Sequence, residues 1–237
     1  MKTQVTARAR AGIAFTLIEL LVVIAIIGLL AGLVFPVTRA VKVKAVKTRA
    51  QAELGALVLA IEAYKDKLGH YPPDSALPRT NQLYYELLGT KLINNGTVYE
   101  TLDGSARIEN TKSAFEEAFG HRPGQTVPSV TGFINCTRTA NADDAPPAKA
   151  FLTQLKPNQS AEIPPGIRIL ACPVQWPADH DFQPIPSRPG LNPWRYISTN
   201  PTNNPGAFDL WVDVTAGGKI FRISNWSKEP QSVTTPW

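Results

Sequence analysis

Cysteine and histidine are scarce in this chain, with two and three residues among 237. Cys136 and Cys172 have neither close spacing nor nearby histidines, so the sequence offers no ligand set for zinc. Two readings of the pair stay open. A bridge would close a loop of about 35 residues, worth roughly 3–4 kcal/mol in the chain-entropy model; otherwise they are separate buried thiols. His70 falls in a turn, and His121 and His180 in proline-rich stretches. Gly-x-Ser-x-Gly, His-Glu-x-x-His and a phosphate-cradling glycine loop are all missing. Asp179-His180-Asp181 therefore reads as a surface turn, not as a metal patch or a base with its orienting carboxylate, and no enzymatic reaction is expected. No internal repeat occurs.

The charge excess is also small. Lys and Arg number 24 against 19 Asp and Glu, a formal net charge of +5. Lys2, Arg8 and Arg10 all precede a long apolar run, and without them the chain is nearly balanced, which argues against nucleic acid as a partner. With 43% hydrophobic and 18% charged residues the chain has enough apolar side chains to build a core, which excludes disorder as a whole.

What is present begins with that run. Residues 15–35 read FTLIELLVVIAIIGLLAGLVF, with Thr16 and Glu19 as the clearly polar members. About 21 residues of helix span roughly 30 Å, the thickness of a bilayer's hydrocarbon core. The run is longer than the apolar part of a secretory signal and continues into Pro36 and a basic helix. A plain anchor does not explain Glu19, because a carboxylate is costly in hydrocarbon and marks a functional candidate. Pro36 predicts a kink, from its missing amide donor and the clash of its ring with the preceding turn. Lys2, Arg8 and Arg10 on one side against Arg39, Lys42, Lys44, Lys47 and Arg49 on the other leave the orientation unset by charge.

Beyond the run, Leu54, Leu57, Val58, Ile61, Tyr64 and Leu68 recur at the spacing of one buried helical face. The helix should end at Leu68-Gly69-His70-Tyr71-Pro72-Pro73, where Gly69 suits the left-handed C-terminal position and the prolines forbid continuation. Short helices are expected at 83–88 and 114–119, and strands at 97–102, 133–136 and 167–172. Residues 120–193 hold many of the prolines and predict long loops. Segments 194–198, 208–214 and 219–223, with turns at 203–206 and at Gly217-Gly218, predict an antiparallel meander packed on the long helix. The fold class is α+β.

The run Ala14-Phe15-Thr16-Leu17-Ile18-Glu19-Leu20-Leu21-Val22-Val23-Ile24 resembles the processing and methylation signal of type IV pilins and type II secretion pseudopilins. The helix end, Tyr64 followed by Gly69-His70-Tyr71-Pro72, and the ordered segments Asn192-Pro193-Trp194-Arg195-Tyr196-Ile197-Ser198, Phe208-Asp209-Leu210-Trp211 and Ile223-Ser224-Asn225-Trp226 resemble the major pseudopilin of type II secretion. The resemblance implies a pilin-like fold with a cleaved cytoplasmic leader at 1–14, a transmembrane helix at 15–37, an amphipathic continuation at 38–68 and an extracytoplasmic head at 69–237. It implies cleavage between Ala14 and Phe15 by a prepilin peptidase and N-methylation of Phe15. Ala14 stands where the family usually has Gly, and a cut after Gly12 is the alternative. Glu19 would pair with the new amine of a neighbouring subunit during assembly.

The implied role is a structural subunit of a filament that assists protein export. Its partners would be other copies of itself, minor pseudopilins and the inner-membrane assembly platform, and its place a single-pass one in a bacterial inner membrane. A type IV pilin or minor pilin for adhesion, motility or DNA uptake is the alternative, and a membrane-tethered enzyme or binding module a further one. In the resembled family the loop before the final Asn-Trp commonly holds calcium. Here Lys219 stands where further acids are expected and works against the ion, leaving Asp209 and Asp213 as its candidate ligands.

Overall fold

The computed structural model describes residues 16–120, 131–138, 147–153 and 155–236, the side chains of 33–39 excepted. Ala14 and Phe15, the expected cut, lie outside the described residues, as do the leader and parts of the proline-rich stretch. The chain divides into two compact units, Met1–Lys42 and Val43–Trp237.

Helix α1, Leu17–Leu68, contributes to both. In the first unit its apolar side chains are exposed all round, from Leu17 at 81% through Ile24 at 60% to Leu30 at 56%. Among the described residues no helix is long and apolar enough to cross a membrane. The stretch 17–32, whose side chains are described, gives about 24 Å of helix against the roughly 30 Å that a crossing needs. Pro36 lies within α1, and its side chain is among those not described.

The second unit is an α+β head. Leu54, Leu57, Ile61 and Tyr64 of α1 are buried at the expected spacing, with Val58 and Leu68 packed at the margin. The helix stops after Leu68, where Gly69 takes a φ of +83° and its N–H closes on Lys65 O at 2.7 Å. Against this face lies a C-terminal sheet in the order β10-β9-β8-β7. Its strands are β7 (Arg195–Ile197), β8 (Asp209–Ala216), β9 (Lys219–Ser224) and β10 (Ser227–Val233). Tyr196, Leu210, Val212, Val214 and Ile223 join the helix in one core. The predicted meander is therefore present, with one strand more than expected. β10 carries Pro230, which has no amide to give to a ladder. The pairing with β9 shifts register between Ser227 and Gln231, so the proline falls in an irregularity on an edge strand.

Gly217 and Gly218, at φ +61° and +74°, make the tight β8–β9 turn that suits a twisted hairpin. That turn fixes the register Ala216↔Lys219, and hence Asp213↔Arg222.

A second four-stranded sheet, in the order β3-β2-β1-β4, was not foreseen as a sheet. It comprises β1 (Thr90–Ile93), β2 (Val98–Thr101), β3 (Arg107–Glu109) and β4 (Cys136–Thr137), antiparallel except for the β1–β4 pair. Helix α2, Leu83–Leu88, falls where predicted, and α3, Lys112–Phe119, starts two residues earlier. Phe133 fills the space between them, stacked on Tyr85 at 4.7 Å and edge-on to Tyr99, Phe115 and Phe119. The strand expected at 133–136 shrinks to β4, because the amides of Ile134 and Asn135 donate to the Glu86 carboxylate instead of a ladder. Within 120–193 the described residues include a hairpin of β5 (Ser160–Ile163) and β6 (Ile167–Leu170), where only the second strand was expected.

Candidate functional site

At its N-terminus α1 closes with a reciprocal pair of bonds. The Thr16 N–H and hydroxyl donate to Glu19 Oε2 at 2.9 and 2.8 Å, and the Glu19 N–H donates to Thr16 Oγ1 at 3.3 Å. This is a capping box, which satisfies two amides that the first turn leaves without partners. The sequence carries the signal for it, Thr-x-x-Glu just before an apolar run, in addition to the charge of Glu19. Its carboxylate is exposed and oriented by Thr16, one residue from the expected new N-terminus.

At the far end of α1, Tyr64 is fully buried and its hydroxyl donates to Glu86 Oε2 at 2.9 Å. With the Ile134 and Asn135 amides at 2.9 Å each, three donors converge on one buried carboxylate. Burial pushes the Glu86 pKa up while these bonds pull it back, and burial prevails. Glu53, one side of α1, is likewise raised by burial and accepts from Trp194 Nε1 at 3.3 Å. The helix end is tied to the terminal sheet by Tyr196 and Ser198, whose hydroxyls both donate to Pro72 O, at 2.7 and 2.9 Å. His70 sits in the turn, its ring edge-on to Tyr64, and His180 Nδ1 accepts the Phe182 amide at 3.0 Å inside its own turn.

The calcium candidates are both committed elsewhere. Asp209 accepts from the Asn203 and Asn204 amides and from Asn203 Nδ2, each at 2.9 Å, and so fastens the loop before β8. Asp213 is 0% exposed and bound by Arg222 through two bonds of 2.8 and 3.0 Å. Calcium takes six to eight oxygen ligands, whereas these oxygens already face N–H donors and a guanidinium. Among the described residues no three His, Cys, Asp or Glu side chains gather as metal ligands. The donor set does not fit the ion. Arg222 escaped the sequence reading, although the glycine turn sets it opposite Asp213 by counting outward from Ala216 and Lys219. Arg195, 2% exposed, lies beside them; burial pushes its pKa down to about 10, against the pull of Asp213.

Cys136 and Cys172 are free and buried, one in β4 and the other just after β6. In this structure the thiols belong to the core, and burial raises both, Cys172 to about 12.

Taken together, the described residues define an α+β head built on the second half of a helix whose capped first half exposes an apolar surface. Over 58 residues the sequence is 48% identical to the type II secretion system core protein G of Escherichia coli (strain K12). The match takes in 24% of this chain and 40% of that relative. It supports a pseudopilin-like relationship. No family model and no solved structure matches the chain.

Proposed function

We propose that the chain is a structural subunit, a pseudopilin, of a type II secretion filament that assists protein export. One observation carries the reading: the apolar side chains of 17–30 are exposed on every side of α1, a surface that water does not tolerate bare and that other helices or lipid would cover. The partial identity to the secretion protein says which filament system to consider. In this reading residues 15–37 hold the subunit in a bacterial inner membrane before assembly, with the head on the extracytoplasmic side. A prepilin peptidase cuts between Ala14 and Phe15, Phe15 is N-methylated, and the subunit joins other copies and minor pseudopilins on an inner-membrane assembly platform. Glu19, already oriented by Thr16, accepts the new amine of a neighbour. The subunit itself catalyses nothing.

Deletion of the gene, followed by parallel assays of secreted proteins and surface motility, tests the reading. Secretion is expected to fall and motility to persist; lost motility with normal secretion would turn the choice to a type IV pilin. A mass spectrum of the mature chain is expected to begin at methylated Phe15.

A further inference from the structure

Between Glu19 and Glu53 the sequence has no acidic residue, while Arg39, Lys42, Lys44, Lys47 and Arg49 fall close together. The last three stand in the head, where α1 runs beside the C-terminal sheet. Val43 lies under the β8–β9 turn, so near that a Cβ on Gly217 would meet it at 3.0 Å. One turn on, Lys47 Nζ sits 3.4 Å from the centre of the Phe221 ring on β9, and Gln51 Nε2 donates to Lys228 O at 3.2 Å. This part of the helix is therefore held in place, with Lys44 and Arg49 exposed and Lys47 half-buried.

None of the three makes an ion pair among the described residues. The acids around them are engaged otherwise. Glu53, one turn past Arg49, is buried and holds Trp194; Glu229 follows Lys228; Asp179 and Asp181 share a cleft with Lys219. Three cations with no carboxylate among them attract anions, and on the convex face of a helix they have no pocket to hold a small free one. An extended anionic surface fits them better.

Their place in the chain says which surface. Lys44, Lys47 and Arg49 follow the expected end of the membrane segment, residue 37, by seven, ten and twelve residues. Seven residues of helix rise about 10 Å, and a headgroup layer is roughly 5–7 Å thick. Side chains on a helix lean toward its N-terminus, and a lysine stem extends that reach. We propose that Lys44, Lys47 and Arg49 bind the phosphates of anionic lipids of the phosphatidylglycerol kind at the membrane surface, Lys44 most closely. The proposal deepens the filament reading and rests on its membrane segment.

The test uses the full chain in lipid nanodiscs, with spin-labelled phosphatidylglycerol and phosphatidylcholine as probes and the label immobilised beside the protein as the readout. Phosphatidylglycerol is expected to associate about fivefold more strongly for each cation in reach, and to lose that preference in about 1 M salt, where the screening length is about 3 Å. Lys44→Gln should remove most of the preference, Lys47→Gln less and Arg49→Gln least, while Lys67→Gln, in the last turn of α1, should remove none. Equal association of the two lipids, an equal loss with Lys67→Gln, or a preference that survives the triple variant would overturn the proposal. Discs that take up no protein would overturn the membrane segment, and the proposal with it. Protection of the Lys44 and Lys47 amines from acylation only when a second copy shares the disc, with neither lipid preferred, would overturn it in favour of a neighbour's acids.

Discussion

Along α1, residues 17–32 and 43–68 are drawn from similar apolar side chains and end in opposite situations. In the first stretch Leu17, Ile24 and Leu30 are all exposed. In the second, Leu57, Ile61 and Tyr64 are buried against a sheet, while Leu59, on the other face, is 72% exposed. The polar residues make the difference. Glu62, Lys65, Asp66 and Lys67 break the second stretch into faces, and a helix with faces finds its partner within its own chain. The first stretch has no such division, so its partner must come from outside. Hydrophobicity says that a surface will be covered, and its arrangement around the helix says by what.

The comparison is broken most severely at Glu19. Glu19→Ala is expected to abolish filament assembly, seen as loss of cross-linked multimers, and to leave thermal unfolding of the head unchanged; a shifted unfolding temperature would mean that the two stretches are not independent. In the second stretch, Ile61→Ala should cost the head about 3 kcal/mol in denaturant unfolding, and Leu59→Ala less than about 0.5 kcal/mol. Arg222→Ala, on the sheet that faces α1, should cost about 3 kcal/mol because Asp213 stays buried without its bidentate partner.

The pH effect is smaller. A carboxyl held above its ordinary value of 4.5 keeps in the folded chain a proton that the unfolded chain releases. Stability should then fall as pH rises from about 4.5 through the folded value of Glu53 and Glu86. Glu53→Gln, which keeps an acceptor for Trp194, should flatten part of that slope in urea titrations between pH 4 and 7. The smallest effect is for calcium: exchanging millimolar calcium for EDTA should move the unfolding temperature by less than about 1 °C, since an ion that does not bind the folded state does not stabilise it.

The end of α1 at Gly69, α2 and three of the four C-terminal strands were legible in the sequence because local signals fix them: a glycine and two prolines, a six-residue run apolar but for Glu86, a glycine pair between alternating segments. β1, β3 and β5 were not, since three or four residues such as Arg107–Glu109 form a strand only by pairing with chain that the local pattern does not reveal. The expected strand at 133–136 failed for a tertiary reason, the pull of a buried Glu86 on two backbone amides. Of the site, the charge of Glu19 was legible and its capping bond overlooked, although Thr16 stands at the required spacing. Asp209 and Asp213 were found as acids, but what occupies them, two asparagine amides and Arg222, follows only from loop closure and register.

Both margins of the C-terminal sheet are guarded against pairing. The residues on either side of β7 are tied to the segment that follows α1: Asn81 Nδ2 donates to Trp194 O at 2.8 Å, and Asp74 takes the amides of Ser198 and Thr199. At the other margin β10 presents Lys228, Glu229 and then Pro230, two charges and a residue with no amide hydrogen. Strands left open at such margins annex one another when copies are crowded together, and the product is fibrous aggregate. Both margins are thus poor templates for a stray strand, which favours bringing copies of the head to high local concentration without sheet growing from one to the next.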